Sequence, residues 1–308
     1  MYEEKWMSYK LGQFIWAILM LMGRKASRLA LKSGSVGGRS YTCLVSDEAD
    51  SALETLVLLH GFTGSKDYWL PLIKQLKGRF NVLVIDLPGH GGSHFDPAQD
   101  FYEQAVRIID DALWFHKSER VHLIGASVGA MVACRYAERN PQRVHTLVMI
   151  GPAGVPVCEP SEFYAEVDAG QNPFWIHTRQ AWRHLLSLAL RTPPPDFWPV
   201  SAFLFGDYMK RQSTYRLIWD QIVDEHRRFR PLDFTAVSAL PCRKMLVWGE
   251  AERTFHRSTV EVLSEHLPEL RIFRCDKSGH AVHYDQPKWL AELLCAEVIM
   301  PPRTPPLP

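Results

Sequence analysis

Five short runs of apolar, largely β-branched residues constrain this chain more than any other feature. They are residues 55–59 (TLVLL), 82–85 (VLVI), 121–124 (VHLI), 144–150 and 244–248 (KMLVW), with a weaker candidate at 270–273. Each run is continuous where a half-buried strand would alternate, so it suits a strand covered on both faces, as in a parallel sheet. Between the runs lie segments with helical spacing at 69–76, 104–116, 130–139, 258–267 and 287–298. Strands alternating with helices predict an α/β architecture with right-handed crossovers. A further run, 40–45, reads as a short edge strand, and the glycine-rich stretch 34–38 as a linker leading into it.

Two regions break the rhythm. Residues 155–239 offer no convincing strand but are crowded with aromatic residues, among them Phe163, Phe174, Trp182, Tyr208, Tyr215 and Trp219. This predicts a helical insertion between two strands, interrupted at Pro193-Pro194-Pro195. It would sit over the carboxyl ends of the strands, where α/β sheets bind ligands, as a cap or lid. The second is the N-terminus, where residues 14–22 read FIWAILMLM, with Lys10 before and Arg24, Lys25, Arg28 and Lys32 after. The run is short of the ~20 apolar residues a spanning helix needs. Glu3 and Glu4 and the lack of a small-residue cleavage site argue against a signal peptide. Apolar character on all sides exceeds what one-sided packing requires, so residues 11–23 are expected to meet a membrane surface, with packing on the protein itself as the plainer reading. The expected organisation is therefore 1–38 as apolar segment and linker, 39–154 with 240–300 as the core, 155–239 as the cap, and 301–308 (PPRTPPLP) as a frayed tail.

The 308 residues carry a formal net charge of +1, so nothing points to a nucleic-acid partner. Six scattered cysteines form no C-x-x-C pair or metal-ligand spacing; buried free thiols are expected, with no metal and no organic cofactor.

The chemistry is carried by Gly125-Ala126-Ser127-Val128-Gly129, which follows the run VHLI and precedes a helical segment. That context makes the five residues a nucleophile elbow, a sharp strand-to-helix turn that presents the Ser127 hydroxyl. The Val128 backbone N–H then lies at a helix N-terminus, suited to stabilise an oxyanion. A second donor is expected from His60-Gly61-Phe62-Thr63-Gly64-Ser65, directly after TLVLL, with the N–H of Phe62 as the natural choice. In the chain order nucleophile, acid, histidine, His280 in Ser278-Gly279-His280 is the candidate base, and His283 is its main rival. For the acid, Glu252 and Glu250 both follow the run KMLVW.

Five motifs in order, HGFTGS, DLPGHGGS (86–93), GASVGA, WGEAE (248–252) and SGH, make residues 39–298 resemble the α/β-hydrolase superfamily. The resemblance implies an α/β-hydrolase fold, a mostly parallel central sheet flanked by helices with a helical cap. It implies a triad of Ser127, Glu252 and His280, with Glu252 where the family usually has aspartate, and it implies that DLPGHGGS, His90 included, is structural. HGFTGSKDYWLPL, the long insertion and the N-terminal segment most resemble membrane-associated monoacylglycerol lipases and related bacterial lipases. A serine at the elbow implies acyl transfer through an acyl-enzyme. The expected function is hydrolysis of carboxylic esters, lipid-like acyl esters such as monoacylglycerols, by a membrane-associated and otherwise cytoplasmic enzyme. A carbon–carbon bond hydrolase of aromatic ring-cleavage products, a perhydrolase side activity and a non-catalytic lipid- or partner-binding pseudo-hydrolase are the alternatives.

Overall fold

In the computed structural model, residues 2–76 and 78–298 are described. The expected tail at 301–308 lies outside them. A long helix α1 (Tyr2–Ala26) leads into a hairpin of β1 (Leu29–Val36) and β2 (Arg39–Ser46). The core then runs β3 (Thr55–Leu59), α2 (Leu70–Leu76), β4 (Asn81–Ile85), α3 (Phe101–Phe115), β5 (Val121–Ala126), α4 (Val128–Arg139) and β6 (Val144–Ile150). Four helices follow without a sheet strand: α5 (Glu162–Asp168), α6 (Arg179–Ala189), α7 (Val200–Ile222) and α8 (Phe234–Ser238). The chain closes with β7 (Arg243–Gly249), α9 (Ser258–His266), β8 (Arg271–Cys275), α10 (Val282–Asp285) and α11 (Pro287–Val298).

The sheet has eight strands in the order β1-β2-β4-β3-β5-β6-β7-β8; the pairings of β1 with β2 and β2 with β4 are antiparallel and the rest parallel. The continuous apolar runs now have their reason. Val57 and Leu59 of β3, like Leu83 and Ile85 of β4, enter the layer holding α3 and α4. The intervening Leu56, Leu58, Val82 and Val84 enter the opposite layer, with α2 and α11. Both faces are dry, so neither can be polar. Helix starts follow local capping: the Asp100 carboxylate accepts the Glu103 N–H at α3, Ser161 accepts Tyr164 N–H at α5, and Thr178 accepts Ala181 N–H at α6.

Three expectations change. The stretch 34–38 is not a linker: residues 34–36 pair with 39–41 in the β1–β2 hairpin, and the turn is Gly37-Gly38. Strand 40–45 is consequently interior, because β1 takes the edge. A small-residue strand with exposed alternate positions, LALKSGSV, has no apolar signature to read. The cysteines are free, but Cys158 is exposed and Cys295 half-buried, while the other four are buried.

The N-terminal apolar segment belongs to α1, and no helix among the described residues is long and apolar enough to cross a membrane. Its apolar residues divide between two faces. On one, Tyr9 packs on Phe203 of α7 with ring centroids 5.3 Å apart and accepts a hydrogen bond from Lys210 Nζ at 2.6 Å. Gly12 on that face lies against the Pro199 carbonyl, Met20 joins the sheet layer beside α2, and Arg24 pairs with Asp67. On the other face Met7, Leu11, Phe14, Ile18, Leu21 and Met22 are exposed, at the i, i+4, i+7, i+11 spacing of one helical stripe.

Candidate active site

Ser127 stands between β5 and α4 with φ 54° and ψ −119°, a left-handed backbone that a non-glycine residue adopts only under constraint. The constraint is packing on both sides. A Cβ on Gly125 would stand 2.3 Å from the Gly129 carbonyl oxygen, and one on Gly129 would stand 2.3 Å from the Leu59 oxygen. Only hydrogen fits at either position, which is why the serine is bracketed by glycines. The Ser127 N–H donates to the Ile150 carbonyl at 2.9 Å, tying the turn to the end of β6. Val128 is the first residue of α4, so its N–H has no intrahelical acceptor.

His280 follows β8 and sits on the loop before α10. Its Nδ1 lies 2.6 Å from Glu252 Oε2, on the loop after β7. Both side chains are largely withdrawn from solvent, at 12% and 2% exposure. The other carboxylate oxygen of Glu252 accepts the backbone N–H groups of Thr254 (2.6 Å) and Phe255 (3.2 Å), so the buried carboxylate is fully engaged and its orientation fixed. Glu250 points elsewhere and accepts from Arg274 Nη1 at 3.0 Å at the surface. His283 is buried, its ring stacked on Trp69 at 4.2 Å, and burial pushes its pKa down to about 3. Geometry thus joins His280 to Glu252 and leaves Glu250 and His283 outside. The end of β6 adjoins both parts of the site: Ile150 accepts the Ser127 N–H, and a Cβ on Gly151 would stand 3.0 Å from His280 Nδ1 and 3.2 Å from Glu252 Oε2. No Ser127–His280 hydrogen bond forms among the described residues.

Phe62 follows β3 in a turn closed by Gly64 N–H to Gly61 O at 3.0 Å. A Cβ on Gly61 would stand 3.1 Å from the Ser127 Cβ, so this turn abuts the elbow. The Phe62 ring is roofed by the insertion: Phe174 at 4.9 Å edge-on, Tyr215 at 5.6 Å and Trp219 at 6.0 Å. His90 is fully buried, and burial pushes its pKa down to about 3. Its ring nitrogens hydrogen-bond to backbone only: Nδ1 with Pro88 O at 2.8 Å, and Nε2 with the Thr63 N–H at 3.1 Å. Beneath both loops, Asp86 pairs with Lys66 Nζ at 2.8 Å and accepts from Thr42 Oγ1 at 2.6 Å. Burial raises the Asp86 pKa, but the charges of Lys66 and His60 and the hydrogen bonds from Lys66 outweigh it, and the net shift is downward.

Some contributors carry no sequence mark. Asp285 accepts from Gly279 N–H at 2.8 Å, from Ser278 Oγ at 3.2 Å and from Arg191 N–H at 3.0 Å, anchoring the histidine loop to the end of α6. The acid loop is tied to the insertion as well, through Ser161 Oγ to Thr254 O at 2.7 Å and Thr254 Oγ1 to Leu188 O at 3.3 Å. A carboxylate five residues beyond a histidine has no motif of its own; only the turn that brings it back reveals it.

This fold and this set of loops define an α/β hydrolase. The chain belongs to the alpha/beta hydrolase family, whose profile matches residues 56–293. It is 26% identical over 285 residues to monoacylglycerol lipase abhd6-B of Xenopus laevis, covering 88% of this chain and 82% of that one. It is 23% identical to Lipase 1 of Psychrobacter immobilis, covering 83% and 80%. Among solved structures, a bacterial membrane phospholipase A described as a virulence factor superposes with a TM-score of 0.85 at 24% identity, covering 94% and 92% of the two chains. A putative lipase from Acinetobacter baumannii superposes at 0.79 and 18% identity, covering 92% and 95%. At those identities the structural likeness speaks for the fold.

Proposed function

We propose that this chain hydrolyses lipid-like acyl esters, monoacylglycerols among them, through an acyl-enzyme on Ser127. That it is an ester hydrolase follows from its family and from relatives named as lipases and monoacylglycerol lipases. The observation that carries the mechanistic reading is the 2.6 Å contact between His280 Nδ1 and a Glu252 carboxylate that is itself held by two backbone N–H groups.

With Nδ1–H donated to Glu252, Nε2 of His280 holds a lone pair and takes the Ser127 proton as Oγ attacks the ester carbonyl. Glu252 stabilises the imidazolium without becoming protonated. The negative charge that develops on the carbonyl oxygen is met by the N–H groups of Val128 and Phe62. His280 then protonates the departing alcohol; in the second half it takes a proton from the water that attacks the acyl-enzyme and returns it to Ser127 Oγ as the acid leaves. The aromatic surfaces of Phe174, Tyr215 and Trp219 over Phe62 support an apolar acyl chain as the substrate part bound under the cap. The exposed stripe of α1, followed by exposed Lys25, Arg28 and Lys32, supports contact with a membrane surface through residues 11–23. The likeness in fold to a bacterial membrane phospholipase A is in keeping with this.

A fluorophosphonate probe and a panel of monoacylglycerols and chain-length-varied esters test the reading. Wild type labels and turns over acyl chains of eight or more carbons, and Ser127→Ala does neither. Retained turnover in Ser127→Ala, or a preference for short soluble esters alone, rejects it.

A further inference from the structure

Thr63 has a φ of 61°, unusual for a β-branched residue, and it is neighbour to Phe62. It occupies the third position of the turn Gly61–Gly64, closed by the Gly64 N–H to the Gly61 carbonyl at 3.0 Å. A type II turn requires a left-handed residue there and normally has glycine. Thr63 must therefore be held in place from outside. Its N–H points at His90 Nε2, 3.1 Å away. His90 has the one tautomer that can accept it, because its Nδ1–H is given to the Pro88 carbonyl at 2.8 Å. The ring itself cannot swing aside: His60 lies 5.1 Å from it, Tyr215 5.2 Å and Phe62 5.7 Å between centroids.

We propose that His90 is a positioning residue for the backbone donor at Phe62, holding the Gly61–Gly64 turn in its left-handed form by accepting the Thr63 N–H. This rests on the reading of Phe62 N–H as an oxyanion donor. Without the acceptor, Thr63 relaxes to negative φ and the Phe62–Thr63 peptide rotates over. The turn then opens at Phe62, and the Gly61–Phe62 peptide that carries its N–H shifts from the place where charge develops. A donor so displaced stabilises the transition state less and the ground state hardly differently, so kcat falls while KM holds.

The glutamine and asparagine variants separate this from simple filling of a buried site. Glutamine places its amide oxygen where Nε2 was, whereas the shorter asparagine mimics Nδ1. In steady-state hydrolysis of p-nitrophenyl butyrate, His90→Asn loses about 30- to 100-fold in kcat with KM within about twofold, and His90→Gln stays within about threefold of wild type. Adding Thr63→Gly to His90→Asn recovers about tenfold, because glycine adopts the left-handed turn unaided. Thr63→Pro spares the buried ring while removing the same N–H and forbidding positive φ, and it reproduces the kcat loss. Full kcat in both His90→Asn and Thr63→Pro overturns the proposal, as does equal loss in the glutamine and asparagine variants. Fluorophosphonate labelling and Ser127→Ala decide the ester-hydrolase mechanism separately: a reactive Ser127 with an indifferent His90 rejects this inference alone.

Discussion

Glu252 reaches His280 with one methylene more than the aspartate usual at this place in the family, and the structure shows what accommodates it. The side chain folds back so that one oxygen takes two N–H groups of its own loop and the other meets the imidazole. In the proposed mechanism its contribution is charge more than shape. Glu252→Gln preserves the packing but cannot hold the histidine as the Nδ1–H tautomer, and kcat is expected to fall about 10³- to 10⁴-fold. Glu250→Gln, at the surface with Arg274, stays within about twofold. Comparable losses in the two variants, measured under saturating ester, would reject the assignment. Gly151 offers a second test at this scale. Its φ is 46°, and a methyl group there would press on His280 Nδ1 and Glu252 Oε2. Gly151→Ala is expected to cost about 1–2 kcal/mol of stability from the left-handed backbone. Its activity should drop at least tenfold, read by comparing urea melts with initial rates.

At the scale of elements, α7 connects the N-terminal helix to the site. Its first half carries Phe203 and Lys210 against Tyr9 of α1, and its second half carries Tyr215 and Trp219 over Phe62. The cap is consequently braced on both sides, by α1 and by the hydrogen bonds from α5 and α6 to the acid and histidine loops. The division of α1 into a packed and an exposed face makes a prediction that belongs to the element. Phe14→Asp with Leu21→Asp changes only the exposed stripe, so the melting temperature and soluble-ester turnover should be near those of wild type. Sedimentation with vesicles containing phosphatidylglycerol should fall at least tenfold, because an aromatic or aliphatic side chain moved from water into the membrane surface contributes about 1.5–3 kcal/mol. Unchanged sedimentation would remove the membrane reading of α1 and leave the ester hydrolase intact.

For the molecule as a whole, the buried histidines set a pH dependence of stability. His90 and His283 titrate near 3 in the folded protein, because burial disfavours the charged ring, against an ordinary value of 6.5. Between those limits the unfolded chain binds protons that the folded chain does not, so stability rises with pH across the window and is complete above about 6.5. Each histidine contributes a slope of about 1.4 kcal/mol per pH unit below that value. Buried His60 is shifted in the same direction. Denaturant melts from pH 7 to pH 5 should show this loss, and His283→Phe, which keeps a ring against Trp69, should lower the slope by one histidine's share. A flat profile would mean that these rings are protonated in the fold.

Much of this was legible in the chain itself. Runs of apolar residues too continuous for a half-buried strand determined a sheet covered on both faces, and a serine bracketed by glycines between strand and helix determined the elbow. Local chemistry suffices for both, because strand burial and tight turns are written in neighbouring residues. The β1–β2 hairpin was not legible, since its edge strand is half exposed and lacks an apolar signature. The resemblance singles out Glu252 over Glu250, but the loop residues themselves do not: two carboxylates two residues apart are equivalent until a histidine 28 residues away arrives beside one of them. The same holds for Asp285 under the histidine loop, for His90 against Thr63, and for the two faces of α1. Each depends on which distant backbone group comes within hydrogen-bonding or packing distance, and only the closed tertiary structure decides that.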